Sequence, residues 1–249
     1  KYKLKMNNSK TEIIAYGTSQ QLAKVKISGV NVGGCFVKCV DHVRDLGVIM
    51  DRNLNFDRHY HIRKKCQIAY SQLKNLKSIR KYLSKKSAEV LVHGLVHSHI
   101  DFCNGLFADI PSYQLDRLQK LQNHAARVVT NVYNQPSVNL LKSLHWLPVK
   151  ARIMFKILVI MFRVIHGTTP VYIMSLFNVT KRKYSLRSSG GDSCTNFLVP
   201  RRMTKLADRS LSVVGPKWWN TLPNELKCIS AETVFRKRLK THLFEKFYA

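Results

Sequence analysis

Apolar residues in the middle of the chain recur at the spacing of an α-helix. Between Ile62 and Leu83 they fall at alternating steps of four and three residues, with one turn skipped at Arg80. A second periodic segment begins at Ser87, and Pro111-Ser112 can begin and cap a third. Three amphipathic helices joined by short links predict a bundle over residues 57–135. The positions predicted to share the inward faces of these helices are Ile62, Cys66, Ala69, Leu73, Leu76, Leu83, Ala88, Leu91, Leu95, Val96, His99, Leu115, Leu118, Gln122, Ala125 and Val129.

The region 136–249 is predicted to be a second helical region with a basic loop and a terminal helix. The segment from Val149 to His166 is apolar almost all round, so this helix should be central, and Gly167 should end it. The other predicted elements are a short helix at Val138–Ser143, a basic loop at Lys181–Asp192, a hairpin pairing Phe197–Val199 with Ser210–Val214, and a final helix at Ala231–Phe247 that buries Val234, Phe235, Leu239, Leu243 and Phe247.

Residues 1–56 carry strand signals instead. Thr11–Tyr16 and Lys24–Val30 are β-rich, and the segment 31–34 reads as a turn. Cys35–Val40 and Val43–Met50 are predicted to form an antiparallel pair, in which Gly47 allows a bulge or a close approach by another backbone. A sheet of so few strands is only marginally stable in water. This region should therefore depend on packing against something else.

Charge changes this picture from a plain helical protein to one with a polyanionic partner. The chain has 42 Lys and Arg against 14 Asp and Glu, a formal net charge of +28 and a pI near 10.2. Self-repulsion on this scale disfavours the compact state unless a polyanion neutralises it. Nucleic acid is the leading candidate, an anionic membrane surface is second, and simple solvation of helix faces is the alternative.

The first predicted helix concentrates this charge on one face. No acidic residue lies between Asp57 and Glu89, whereas a merely solvated helix usually mixes charges of both signs. Cations spaced by one helical turn can follow the phosphates of a nucleic acid. The candidate phosphate-binding residues are Arg63, Lys64, Lys65, Lys74, Lys77 and Lys81.

A second basic and aromatic cluster lies near the C-terminus. Trp218 follows Lys217 and lies downstream of Arg201 and Arg202, so its ring could stack on a base beside phosphate-binding cations. The alternative is that Trp218 and Trp219 are core residues, since tryptophan is usually largely buried.

The chemistry of a free-standing enzyme is missing from the sequence. There is no Asp-Asp pair, no phosphate-binding glycine loop, no G-x-S-x-G and no H-E-x-x-H. We expect no metal site and no cofactor in this chain, because neither Cys35, Cys39 and His42 nor the histidines between 93 and 99 complete a ligand set. Scattered cysteines, the absence of a signal peptide and the lack of a membrane-spanning run predict reduced thiols in an intracellular protein.

Eight short motifs occur in order along the chain. One is Leu46-Gly-Val-Ile-Met-Asp51, a strand before a turn and a basic helix. The others are Leu4–Glu12 running into Ile13–Thr18, Ser98–Asn104, Leu121–Arg127, Leu144–Val149, Leu186–Ser189 with Asp208–Ser212, Gly215–Pro223 and Leu239–Phe244. Together they resemble the reverse transcriptases of non-LTR (LINE-type, jockey-like) retrotransposons, and the resemblance covers essentially the whole chain. Within it, Leu46–Asp51 resembles the primer grip.

The resemblance implies a mainly α fold with three parts. These are a small antiparallel remnant of the polymerase palm at 1–56, a helical thumb at 57–135, and an α-rich C-terminal domain with a β-hairpin at 136–249. It also implies that Leu46, Gly47 and Val48 belong to the primer grip. Lys10 would be an accessory residue that closes onto the incoming nucleotide.

By the same resemblance, the catalytic aspartates and their Mg²⁺ belong to palm segments that this chain lacks. The chain would be a C-terminal piece of an RNA-directed DNA polymerase, beginning inside the palm and inactive alone. Its partners would be RNA template, DNA primer and the missing palm and fingers, without a membrane. The parent would work in the nucleus and cytoplasm. The alternative function is a non-enzymatic basic helical adaptor that binds nucleic acid.

Overall fold

A computed structural model describes residues 7, 10–25, 27–54, 61–180 and 195–248. These residues are mainly helical, with small antiparallel β-hairpins, which confirms the predicted fold class at that level. The chain divides into two compact units, unit 1 at residues 1–67 and unit 2 at residues 68–249. The assignment of 1–56, 57–135 and 136–249 to palm, thumb and C-terminal domain stays a prediction. The predicted basic loop at 181–192 lies outside the described residues.

Unit 1 consists of two hairpins, one short helix and the start of a long one. In each hairpin the two strands are neighbours in sequence and pair antiparallel, β1 with β2 and β3 with β4. The elements are α1 at Ser19–Lys24, β1 at Gly29–Val32, β2 at Cys35–Lys38, β3 at His42–Asp45, β4 at Val48–Asp51, and α2 at His61–Ile79, within which the division between the units falls.

Tight turns explain why the predicted pairing of Cys35–Val40 with Val43–Met50 is wrong. Gly33 and Gly34 both have positive φ, and so do Leu46 and Gly47, at +44° and +88°. Two successive positive φ values are the signature of a two-residue hairpin turn whose twist matches that of the flanking strands. Each strand therefore pairs with its immediate neighbour, and Gly47 serves a turn rather than a bulge.

The remaining β-rich predictions in unit 1 also need correction. Thr11–Tyr16 contributes only one isolated bridge, between Ile13 and Cys39. Within the β-rich run Lys24–Val30, strand β1 begins only at Gly29. The preceding helix α1 was not predicted. Its Thr18 hydroxyl accepts a hydrogen bond from Gln21 N while the Gln21 side chain accepts one from Thr18 N, and this reciprocal capping satisfies two helix-end donors.

Unit 2 contains the remaining helices of the described residues. The helices predicted to begin near residues 62, 87 and 112 are present, and so are those predicted at 138–143, 149–166 and 231–247, each beginning within a few residues of its prediction. The elements are α3 at Lys85–Val92, α4 at Ser98–Asp101, α5 at Ser112–Thr130, α6 at Ser137–Ser143, α7 at Val149–Ile165, α8 at Val171–Met174, β5 at Val179–Thr180, β6 at Asn196–Phe197, α9 at Lys205–Asp208, α10 at Leu211–Asn220, α11 at Asn224–Lys227 and α12 at Glu232–Tyr248.

Helix α7 is the centre of unit 2, as its all-round apolar sequence predicts. It packs against α5, α10 and α12, and ten of its residues are buried. Gly167, with φ of +66°, follows it in the left-handed conformation that commonly ends a helix. Within the described ranges no helix has both the length and the apolar character needed to cross a membrane.

A π-helical turn explains one error in the predicted core. Residues 93–97 form this turn between α3 and α4. The buried face runs through Ala88, Val92, Val96 and Ile100, whereas Leu95, predicted to be buried, is 38% exposed. A face that recurs every four residues drifts around an ideal helix, and the wider π turn brings it back toward the core.

The predicted hairpin between Phe197–Val199 and Ser210–Val214 is wrong. Phe197 pairs instead with Val179 in the β5–β6 hairpin. The Asn220 side chain accepts a hydrogen bond from Phe197 N and donates one to Phe197 O, so a side chain supplies what a second strand would have supplied. Residues 210–214 are therefore available for α10, whose Val213 and Val214 are buried.

The cysteines differ in state. Cys35, Cys39, Cys66 and Cys103 are reduced. Cys228 is disulfide-bonded, so the prediction of reduced thiols throughout is wrong at that position.

A buried histidine lies where the π-helical turn meets the connection between α6 and α7. His97 is 2% exposed and packs edge-on against Trp146, with ring centroids 4.4 Å apart. Its Nδ1 lies 2.9 Å from His93 Nδ1, so one ring donates and the other accepts. Burial, then the charges of Arg152 and His93, lower the pKa of His97 to about 2, which keeps the ring neutral.

This depressed pKa predicts acid sensitivity. Unfolded His97 takes up a proton near pH 6.5, whereas the folded protein resists doing so until about pH 2. The contribution of neutral His97 to the free energy of unfolding is thus complete above pH 6.5 and is lost as the pH falls. Below pH 6.5, His97 alone should lower the free energy of unfolding by about 1.4 kcal/mol per pH unit. Urea unfolding between pH 7 and pH 4.5 should show that His97→Gln has a shallower pH dependence than the parent.

Exposed His145 provides the control for that measurement. It has a positive φ of 53°, a conformation that asparagine tolerates, so His145→Asn should keep the fold and the parent's acid sensitivity. Equal slopes for His97→Gln and the parent would show that His97 does not carry the effect.

Close packing of α10 on α7 predicts a second pair of stability changes. A Cβ at Gly215 would lie 2.5 Å from Met161 Sδ in the core, whereas one at Gly94 would meet nothing within 4 Å. Overpacking costs about 1–3 kcal/mol, and alanine gains roughly 1 kcal/mol over glycine within a helix. Gly215→Ala should therefore lower the free energy of unfolding, and Gly94→Ala should leave it unchanged or raise it, both measured by urea titration. A destabilised Gly94→Ala together with an unaffected Gly215→Ala would contradict this packing.

Candidate nucleic-acid interface

The part of α2 in unit 2 separates apolar and basic side chains as the sequence predicts. Leu73 and Leu76 are 1% and 3% exposed, and Lys74 and Lys77 lie on the exposed face. Lys81 follows, also exposed, in a 3-10 turn at Arg80–Tyr82. Within the described ranges no carboxylate pairs with any of these three lysines, so their charges remain available to a ligand.

Tyrosine rings lie beside two of these lysines. Lys77 Nζ is 5.3 Å from the ring centroid of Tyr133, and Lys81 Nζ is 4.8 Å from that of Tyr82. Tyr133 is 44% exposed and Tyr82 is 77% exposed. We call the group Lys74, Lys77, Lys81, Tyr82 and Tyr133 the Lys–Tyr surface. It combines exposed cations with exposed aromatic faces, as surfaces that bind phosphates and stack on bases do.

Arg80 holds this surface in place and explains the skipped turn in the apolar pattern. Its guanidinium donates to Val128 O at 2.9 Å, Val129 O at 2.7 Å and Leu83 O at 2.7 Å. The first two carbonyls belong to the last turn of α5, where backbone acceptors have no partner within the helix and a cation is favourable. Arg80 is thus a structural cap that fixes the end of α2 to the end of α5, close to Tyr133.

His124 of α5 adds a neutral ring rather than a charge next to this surface. It packs edge-on against Tyr70 at 5.8 Å between ring centroids. Burial, then the nearby positive charges of Lys77 and Arg127, lower the pKa of His124.

The first half of the predicted basic face belongs to unit 1. Arg63 and Lys64 are exposed, and Lys65 is half-buried. Beside them, His61 Nδ1 accepts a hydrogen bond from Ile49 N at 3.2 Å, which ties the start of α2 to β4. Burial and the charge of Lys65 lower the pKa of His61 to about 4. Phosphate binding by the three cations stays a prediction.

The predicted primer-grip residues lie at the β3–β4 turn in unit 1. Leu46 is 91% exposed at the tip of the turn, and Val48 is buried in β4. Lys10 is exposed. Leu46, Gly47 and Val48 are close in space because they are consecutive, and nothing in their geometry distinguishes a grip on a primer from an ordinary hairpin.

The C-terminal cluster is only partly assembled for binding. Arg201, Arg202 and Lys217 are exposed. Trp218 is 9% exposed and Trp219 is fully buried, with its Nε1 donating to Thr195 O at 3.0 Å. The structure therefore favours core packing for both indoles, and Trp218 has little ring surface left for stacking on a base.

A further basic face was not recognised from the sequence. Helix α12 buries Phe235, Leu239 and Leu243, while predicted core residue Val234 is 44% exposed. Its exposed cations are Arg236, Lys237, Arg238, Lys240 and Lys246. The run Arg236-Lys-Arg238 is visible in the sequence, and attention to the polar side of the helix, not only its apolar stripe, would have found this face.

In the part of the chain that is described, no three His, Cys, Asp or Glu side chains come together as metal ligands. No family model matches the chain, and comparison with curated proteins and with solved structures gives no match either.

Proposed function

We propose that this chain binds nucleic acid, with RNA–DNA duplex as its ligand, through the Lys–Tyr surface. The observation that supports the proposal best is a set of three exposed lysines, two of them beside exposed tyrosine rings, that form no ion pair with an acidic residue in the described part of the chain. Lysines that neutralise phosphates release counterions, and this release drives binding without sequence preference.

The polymerase part of the proposal depends on the resemblance to non-LTR reverse transcriptases. On that basis the chain is the C-terminal part of an RNA-directed DNA polymerase, acting in the nucleus and cytoplasm on an RNA template and a DNA primer. Leu46, Gly47 and Val48 would contact the primer, and Lys10 would approach the incoming nucleotide. Mg²⁺ would be held by a pair of aspartates, which this sequence does not contain.

The competing proposal is a non-enzymatic basic adaptor. The basic face of α12 favours it, since the resemblance to a thumb gives that helix no role. The two proposals differ in what must precede residue 1: a reading frame with an Asp-Asp motif supports the polymerase. Binding to an anionic membrane is a third option, which vesicle flotation in competition with RNA would detect.

The first functional prediction is that the purified chain incorporates no nucleotides on a primed RNA template with Mg²⁺. The physical reason is the missing aspartate pair, without which two metal ions are not held at the attacking and leaving oxygens. Template-directed extension by this chain alone, measured on sequencing gels, would overturn its assignment as a non-catalytic part.

The second functional prediction locates the binding surface. Changing Lys74, Lys77 and Lys81 together to Gln should leave stability nearly unchanged, because exposed polar substitutions cost within about 0.5 kcal/mol each. It should weaken binding to RNA–DNA duplex and reduce the salt slope of log K by roughly one unit per lost phosphate contact. Fluorescence anisotropy at several salt concentrations measures both quantities.

A matched triple variant controls for the loss of charge. Changing Arg201, Arg202 and Lys217 to Gln removes the same number of positive charges, three, from the C-terminal cluster and should affect duplex binding much less. If this variant loses affinity while the Lys74, Lys77 and Lys81 variant binds like the parent, the Lys–Tyr surface is not the interface. Replacing Leu73 with Ala should instead destabilise unit 2 by about 2–5 kcal/mol and impair binding only through unfolding.

A further inference from the structure

A cavity of about 610 Å³ lies in unit 2 between α7, α12, the π-helical turn and the connection from α6 to α7. Cavities of roughly 300–1,000 Å³ are typical of small-molecule sites. The π-helical turn, which contributes His93 to the wall, is a feature often found at functional sites. None of the residues of the Lys–Tyr surface lines this cavity, so the cavity requires a separate explanation.

One part of the wall is apolar and aromatic. Trp146, Phe155, Val159 and Ile160 line it. Trp146 is fixed from behind, because its Nε1 donates to Glu89 Oε1 at 3.0 Å and His97 packs against its ring. Phe155 and Ile160 are half-buried on α7 and provide surface for a planar ligand.

The other part of the wall is cationic, and two of its arginines are already paired. Arg152 forms a bidentate pair with Asp101, and Arg163 forms one with Glu232. The hydrogen bond from Arg163 lowers the pKa of Glu232, which keeps this pair charged. These two pairs join α7 to α4 and to α12, and they make the cavity wall rigid.

Three other cations on the wall are less committed. Lys156 Nζ donates to the backbone oxygen of Asp101 at 3.0 Å, and Arg236 lies 3.6 Å from the already paired Glu232. Lys240 is exposed and has no ion pair among the described residues. The lining contains five Lys and Arg against two carboxylates, so the cavity favours an anion.

We propose that this cavity binds one unpaired nucleotide. The base lies against Phe155 and Ile160, and its phosphate contacts Lys240 and Lys156. The proposal deepens and depends on the proposed nucleic-acid function, since the nucleotide would be an end or a bulge of the bound strand. An apolar and aromatic wall beside a cationic wall matches a nucleotide better than it matches a simple anion.

Isothermal titration calorimetry of the whole chain with AMP tests the proposal. AMP should bind at one site, and it should bind more tightly than inorganic phosphate, which lacks the base. Lys240→Gln should weaken AMP binding about tenfold or more, the loss of a charge-assisted contact. Ile160→Trp should abolish binding by filling the cavity, and circular dichroism should show that both variants remain folded.

Lys237→Gln is the matched control, because Lys237 is exposed on the same helix but does not line this cavity. It should bind AMP like the parent. The proposal would be overturned if AMP does not bind, or if it binds no more tightly than phosphate or an alkyl phosphate. It would also be overturned if neither Lys240→Gln nor Ile160→Trp changes AMP affinity.

The Lys74, Lys77 and Lys81 variant separates this proposal from the proposed function. It should lose duplex affinity and keep AMP affinity. If the parent chain binds duplex in a salt-dependent way but does not bind AMP, only the nucleotide site is rejected. If it binds AMP but shows no salt-dependent duplex binding, duplex is rejected as the ligand.

Discussion

The burial of α7 is the constraint on which unit 2 depends. Ten of its residues are covered by neighbouring helices, so its few charged side chains can emerge only where the covering elements leave a gap. Arg152, Lys156 and Arg163 all reach that gap and line the same cavity. Partly buried cations need partners, and Asp101 and Glu232 supply them from α4 and α12. The hydrophobic packing of one helix thereby decides where the ion pairs and the cavity form.

A shortage of carboxylates then shapes the surface. Only 14 acidic residues accompany 42 basic ones, and several acidic residues bind neighbours inside the fold: Asp41 binds Arg52, Asp101 binds Arg152, and Glu232 binds Arg163 and Arg236. The lysines of the Lys–Tyr surface are left without acidic partners. Because like charges on one surface repel, these positions are more useful for binding a polyanion than for stability.

How far the sequence predicted this structure depends on the range of the interactions involved. Helices α2, α5 and α7 were predicted well because apolar spacing along one segment decides them. Some failures have non-local causes, such as the Asn220 side chain that replaces a strand beside Phe197. Others are local, such as the π-helical turn that moves Leu95 out of the core and the two-residue turns that pair each strand with its neighbour. Helix α1 was not predicted, although its capping pair Thr18 and Gln21 is visible in the sequence.

The candidate sites show the same division. The exposed lysines of α2 follow from periodicity, and they were predicted individually. Tyr133 joins them only because Arg80 binds the end of α5, a contact over 48 residues in sequence that no local pattern contains. The cavity draws its wall from segments between residues 89 and 240, so no stretch of sequence could indicate it.

The two proposed sites would make different demands on a nucleic acid, and this difference would give them separate physical roles. Lysine contacts to phosphates fix position and supply affinity, but they carry no information about the bases. A cavity with an aromatic side chain would instead select for an unstacked base, because the base must enter the cavity to pack against Phe155. A base inside an intact duplex cannot enter a cavity without leaving its stack, which costs a few kcal/mol. Strand ends and bulges avoid that cost, so a chain using both sites would favour junctions over uninterrupted duplex.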